Sequence, residues 1–188
     1  DLERTLFPAA HELVGVPVDD VLGTLCRRRG LRTVAPDLEA ALHELQDERF
    51  EVILLVDFLK HVANPPALLG LLRHLLRPDG RMVVTAPNLR RERLARAVGR
   101  RDRLDVPRGG AFASLGVHHT DGSVLRSWLE AAGCDVVAER YGSDRHPEAR
   151  PRAPMAVQRW IGRTAVFVGA PPIAGRVPEP DLEVATWN

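Results

Sequence analysis

Apolar and polar positions follow two rhythms along this chain, and the switching between them predicts its elements. The clearest segment is Phe50–Val56, FEVILLV. A continuous apolar run rich in β-branched residues predicts a parallel strand buried on both faces. Glu12–Val16 (ELVGV) and Leu31–Ala35 (LRTVA) predict two shorter strands before it. Arg81–Ala86 (RMVVTA), Asp135–Glu139 (DVVAE) and Ala165–Gly169 (AVFVG) predict three more after it. Between the strands the period becomes that of a helix. Asp19 or Asp20 can cap VLGTLCRRR, with three arginines at its negative end and Gly30 as its stop. Asp37 can cap LEAALHEL, whose Leu38, Leu42 and Leu45 share one face. Asn64-Pro65-Pro66 opens ALLGLLRHLL, and Arg77-Pro78-Asp79-Gly80 ends it in a turn. Asn88 can cap an arginine-rich helix running towards Val98. Thr120 or Asp121 can cap VLRSWLEAA, which Gly133 closes.

Strand and helix alternate for most of the length, which predicts an α/β fold with a mostly parallel sheet, helices on both faces and right-handed crossovers. Late in the chain the order becomes helix, strand, long loop, strand, as an antiparallel hairpin at one sheet edge requires. Residues 1–170 read as one domain and 171–188 as a proline-rich tail. Leu2–Ala10 reads as the end of a helix, and Gly99–Leu115 and Gly142–Pro154 as loops.

Composition narrows this picture. Hydrophobic residues make up 45% of the 188 and charged residues 27%, values of a globular chain with a core. Lys+Arg is 26 against Asp+Glu 25, a net charge of +1, so no general basic surface argues for nucleic acid or an anionic membrane. No apolar run approaches the roughly 20 residues of a membrane span. Cys26 and Cys134 stand far apart, with no metal-ligand or disulfide pattern, and read as reduced packing residues of a cytoplasmic protein.

One stretch is more specific. FEVILLVDFLKHVANPPALLGLLRHLLRPDGRMVVTAPN resembles the middle of Rossmann-like class I S-adenosylmethionine-dependent methyltransferases, in particular the small-molecule, ubiquinone-biosynthesis-like group. Asp57, Leu59 and His61 fit that group's D-x-L-x-H turn, and Leu76–Gly80 fits its L-R-P-G-G turn with Asp79 in place of a glycine. Pro87-Asn88 fits the strand end, and HHTDGSVLRSWLEAAGCDVV looks like the family's late helix and following strand. The resemblance covers roughly residues 12–140. It implies S-adenosylmethionine as cofactor and methyl transfer to a small-molecule acceptor.

The same comparison shows departures. The family's first strand runs into a D-x-G-x-G-x-G loop, and this sequence contains none. Pro17 stands where an acidic residue usually meets the ribose, with Asp19 two residues late, and Lys60 replaces a common glutamate. The chain opens on Asp1, so the missing strand is expected upstream in a longer native chain. Without that strand, ELVGV is expected to re-pair with FEVILLV, or a homodimer or partner segment to complete the sheet, because bare strand edges aggregate.

The resemblance implies that Asp37 and Leu38 border the adenine and that Val56 and Asp57 lie at the cofactor end of the central strand. Asp37 serves equally as a plain helix cap. His61, His118 and His119 are the candidates for a general base. No metal site is expected. The arginines between 90 and 103 read as a solvated helix face, and Trp128 as a core residue. Two other readings stand beside the enzyme: a non-catalytic binding or scaffolding module with an eroded cofactor site, and a different nucleotide-binding α/β protein.

Overall fold

The structure is a computed structural model that describes residues 12–17, 19–89, 112, 116–142 and 164–172. The expectations for Leu2–Ala10, for the helix towards Val98, for most of Gly99–Leu115, for the loop after Gly142 and for the tail after Pro172 lie outside the described residues. The chain divides into two compact units, residues 1–48 and 49–188.

In the first unit, β1 (Val14–Gly15) pairs in parallel with β2 (Arg32–Thr33). The expected spans of ELVGV and LRTVA shrink to two residues each. ELVGV does not re-pair with FEVILLV: the ladder of β1 goes to β2. Helix α1 (Asp20–Arg28) starts where the Asp19 carboxylate accepts from the Leu22 N–H at 2.7 Å, and Arg27 and Arg28 occupy its last turn. The chain leaves it through Gly30 at φ +80°, a conformation that costs glycine little. Helix α2 (Leu38–Glu44) is capped by Asp37, which accepts from Ala40 N–H at 2.9 Å. Arg32 ties Glu12, at 3.0 Å, to Glu48. The hydrogen bond to Arg32 pulls the Glu48 carboxyl below the usual carboxylate range.

The second unit carries β3 (Phe50–Val56), a short 3-10 turn (Leu59–His61), α3 (Pro65–His74), β4 (Leu76–Pro87), α4 (Gly122–Ala131), β5 (Asp135–Gly142) and β6 (Thr164–Ala170). The strand order is β3-β4-β6-β5. β3 and β4 are parallel, while β6 is antiparallel to both β4 and β5. Three strands therefore run one way and one runs back, which is the mostly parallel sheet with a late antiparallel hairpin that the order of elements predicts. Asn64 caps α3 and Asp121 caps α4. These two helices pack on each other and on the sheet.

The core follows the period of two. Met82, Val84 and Ala86 of β4 are all fully buried, and Val84 sits opposite Phe167 of β6, also fully buried. Leu69 of α3 and Leu125 and Leu129 of α4 close over this layer. Apart from Ala86, each such side chain contributes roughly 1.5–3 kcal/mol of burial.

Two features of β3 and β4 differ from the sequence expectation. First, β4 begins at Leu76, not Arg81. Phe50 pairs with Leu76 and Val52 with Arg81, so Arg77–Gly80 form a bulge inside the strand. A Cβ at Gly80 would lie 2.9 Å from the Phe50 carbonyl oxygen, so this tight passage needs glycine. Second, β3 is not buried on both faces. Val52, Leu54 and Val56 are exposed, because β3 ends its sheet and no described strand pairs with its other side. An apolar run fixes the strand, but its burial depends on a neighbour that the run itself does not supply.

Candidate functional site

The carboxyl ends of parallel strands are where open α/β sheets collect ligands, because the loops there diverge and leave a crevice. In the second unit that place is the junction of β3 with the 3-10 turn. Asp57 is its first residue and the one non-glycine residue with positive φ among the described residues, at 51°. The left-handed region costs an L-residue about 1–2 kcal/mol, less for aspartate than for most. Thr85 holds the residue there: the Asp57 N–H donates to the Thr85 carbonyl at 3.1 Å and to Thr85 Oγ1 at 3.2 Å. The Asp57 side chain does not use the position for any bond of its own. Its Oδ1 is buried and has no hydrogen-bond partner among the described residues. A buried carboxylate oxygen without a donor is costly, and such groups concentrate at functional sites.

The 3-10 turn then carries Leu59, Lys60 and His61. Leu59 is buried and anchors it, His61 is exposed, and Lys60 lies half-buried between them. His118, from the segment that enters α4, pins the turn from the side. Its backbone N–H donates to the Lys60 carbonyl at 2.7 Å, and its ring Nε2 lies 2.8 Å from the Val62 carbonyl oxygen. A carbonyl only accepts, so Nε2 carries a proton and donates it to Val62. The ring is fixed further by stacking on Phe112, at 4.6 Å between centroids, and by the edge contact with Trp128 at 5.1 Å.

Thr120 joins the same segment to the end of β4. Its hydroxyl donates to the Pro87 carbonyl at 2.7 Å, and its own carbonyl accepts from the Leu89 N–H at 3.0 Å. Asp121 starts α4 by accepting from the N–H groups of Ser123 and Val124. Helix α4 is tied to β5 where Arg126 meets the Glu139 carboxylate at 2.5 Å, with its guanidinium 5.7 Å above the Phe167 ring. Glu139 is among the few buried charged residues.

The structure thus brings Asp57, Lys60, His61 and His118 to one stretch of the second unit, with His119 half-buried beside His118. Val56, the last residue of β3, is 62% exposed. Asp37 and Leu38 belong to the first unit, where Asp37 is exposed and caps α2. Thr85 and the Thr120 clamp were not singled out by sequence reasoning for holding a site. Thr85 reads as one more strand residue in RMVVTA, and only the three-dimensional pairing of β3 with β4 puts it under Asp57. Cys134 is buried, and burial pushes its thiol pKa up, as suits a packing residue. Among the described residues no three His, Cys, Asp or Glu side chains group as a metal would need. None of the described helices is long and apolar enough to cross a membrane.

Comparison with known proteins agrees with this arrangement. A family profile described as "Methyltransferase domain" matches residues 9–139. No curated protein matches significantly. An S-adenosylmethionine-dependent methyltransferase from Mesorhizobium loti is similar in structure, with a TM-score of 0.59 at 19% identity, covering 89% of this chain and 84% of that one. Another from Clostridium acetobutylicum gives 0.56 at 11% identity, with 90% and 79% covered. The [4+2]-cyclase SpnF gives 0.58 at 17% identity, with 92% and 70% covered. Likeness at such identity speaks for the fold and not for the chemistry built on it. The profile spans well over half of the sequence, and the chain belongs to the class I S-adenosylmethionine-dependent methyltransferase family.

Proposed function

We propose that this chain moves a methyl group from S-adenosylmethionine to an oxygen, nitrogen or carbon of a small molecule, as a member of the ubiquinone-biosynthesis-like group. The observation that carries the reading is Asp57: a residue of positive φ at the carboxyl end of β3, with a buried carboxylate oxygen that no described residue satisfies. That unpartnered oxygen fits a ligand rich in hydrogen-bond donors. S-adenosylmethionine supplies an electrophilic sulfonium methyl when bound.

In this reading the chain's own residues divide the remaining work. Asp37 keeps one carboxylate oxygen beyond its cap bond for the exocyclic amine of adenine, with Leu38 against the ring. Val56 and Asp57 form the floor at the strand end. A base here takes the proton that an O–H or N–H acceptor loses. His61 is exposed and its ring bonds to none of the described residues, whereas His118 can act only through Nδ1 while Nε2 holds Val62. His119 is the third candidate. Lys60, in place of the common glutamate, makes this turn cationic and disfavours a divalent metal there. The protein contributes orientation and exclusion of water more than covalent chemistry. We place the chain in the cytosol, acting on a small-molecule acceptor, with a second copy or a further segment pairing with β3.

The test is transfer of labelled methyl from S-adenosylmethionine to a panel of phenols, carboxylates and amines. We expect a labelled product whose rate of formation falls about a hundredfold in His61→Ala or His119→Ala, the lower end of the range for loss of a general base. Binding of S-adenosylhomocysteine with no product from any acceptor would instead support the non-catalytic module.

A further inference from the structure

We infer that the methyl acceptor of this chain carries a carboxylate, and that the ammonium group of Lys60 is what recognises it. The inference rests on the reading of the chain as an enzyme that methylates a small molecule. It goes further by naming the charge of the substrate and the residue that reads it.

Three observations meet at Lys60. First, it is the one lysine among the 26 basic residues of the chain. A single lysine dropped at random on those positions would land here once in 26. Arginine brings a broad planar fork, whereas lysine brings a compact point charge. A position that departs from the chain's own habit is one where the fork does not serve. Second, Lys60 is half-buried on a turn whose backbone is held: Leu59 beside it is buried, and the Lys60 carbonyl accepts from the His118 N–H at 2.7 Å. Third, its ammonium has no hydrogen bond or ion pair with any described residue. The described arginines of the second unit all differ from it in this. Arg73, Arg81 and Arg140 donate to backbone carbonyls, Arg77 and Arg126 meet Glu51 and Glu139, and Arg49 has a partner too. Even Asp57, three residues earlier and with a carboxylate oxygen that no described residue satisfies, does not pair with Lys60. A partly desolvated ammonium without a counter-charge costs free energy that an incoming anion recovers.

The kind of anion follows from what stands beside the lysine. A phosphate group spreads its charge over three oxygens and is held best by several donors, arginine forks above all. The second unit's described arginines are engaged elsewhere, and His118 spends its Nε2 on the Val62 carbonyl. One ammonium suits one carboxylate. In the transfer step the sulfur–methyl bond breaks as a bond from the acceptor atom to the methyl forms. Sulfur keeps the electron pair and leaves as S-adenosylhomocysteine, and the proton of an O–H or N–H acceptor passes to the base. The carboxylate on Lys60 makes and breaks no bond in this step. It fixes the pose of the acceptor, which is where most of the rate of such a displacement is won.

The test compares acids with their own amides on the full chain: benzoate with benzamide, 3-phenylpropionate with 3-phenylpropionamide, and butyrate with butyramide. Each is titrated by ligand-observed NMR at saturating S-adenosylhomocysteine, and phenyl phosphate serves as a further probe. The wild type should bind at least one acid about tenfold or more tightly than its amide, the range of one charge-assisted hydrogen bond. Lys60→Gln should bring that acid to within about twofold of its amide, with the melting temperature unchanged. Lys60→Arg should recover only part of the preference, because the charge returns without the compact head. If the wild type binds S-adenosylhomocysteine but favours no acid, or binds phenyl phosphate more tightly than every acid, the carboxylate class is wrong while the cofactor reading stands. A preference that survives in Lys60→Gln would hand the recognition to another cation and overturn the role of Lys60. So would a Lys60→Gln chain that melts well below the wild type, since the lysine would then be structural. Full recovery in Lys60→Arg would overturn the weight placed on the single lysine. If the folded wild type does not bind S-adenosylhomocysteine, the cofactor reading and the inference fail together.

Discussion

The four-stranded sheet has two outer strands, and they are built on opposite principles. β5 carries charge along its length: Asp135, Glu139 and Arg140 lie on it, and Glu139 is tied down by Arg126 of α4. Charged side chains are how natural sheets keep an edge from recruiting another strand. β3 has a single charge, Glu51, which is exposed and paired with Arg77. The rest is apolar, and Val52, Leu54 and Val56 face solvent at 46%, 37% and 62% exposure. The first is the composition of an edge and the second that of an interior strand. Position in a sheet and fitness for that position are thus separate properties, and here only one of the two outer strands has both.

Three substitutions would break or sharpen this contrast. The largest effect should come from the strand that both halves of the sheet depend on. Phe167→Ala in β6 empties a fully buried aromatic site opposite Val84, and should cost about 4 kcal/mol in a urea unfolding curve. A loss under about 1 kcal/mol would mean that β6 does not couple β4 to β5 as the register implies. The next effect belongs to the finished edge. Arg126→Ala leaves the buried Glu139 carboxylate without its cation and should cost about 2 kcal/mol, near the middle of the range for a charged hydrogen bond, since Arg126 itself is 40% exposed. The smallest effect on stability belongs to β3. Leu54→Lys should change unfolding by less than about 1 kcal/mol, because little is buried there, yet it should suppress concentration-dependent self-association seen by light scattering. If it destabilises the chain by as much as Arg126→Ala, then β3 is covered in solution and the contrast between the two outer strands disappears.

Much of this architecture was legible in the residues. FEVILLV coincides with β3 at both ends, because a run of Val, Ile and Leu bounded by charge has no good alternative. Asp19, Asp37, Asn64 and Asp121 each cap the helix they precede, since an oxygen two or three residues before an orphan N–H is a local signal. What could not be read were properties set by chain segments far apart. The exposure of β3 depends on which strand lies beside it. The bulge at Arg77–Gly80 exists because β4 must meet both Phe50 and Val52, whereas the sequence there looks like an ordinary turn. At the site, Asp57 was marked by its place after the strand, but the backbone bonds that hold it at positive φ come from Thr85, 28 residues on. His118 looked like a free base and proves to spend one nitrogen on the Val62 carbonyl.

The first turn of α4 illustrates how far such dependence reaches. A Cβ on Gly122 would fall 1.9 Å from the Tyr141 hydroxyl oxygen, so the helix can begin where it does only if position 122 has no side chain. Tyr141 lies near the end of β5, on the hairpin farthest in the strand order from β3. It acts as a depth gauge for the helix start, and through residues 118–121 for the histidine that braces the Lys60–Val62 turn. Redesign of that distant hairpin, undertaken for stability alone, would therefore reset the geometry of the ligand end of the sheet.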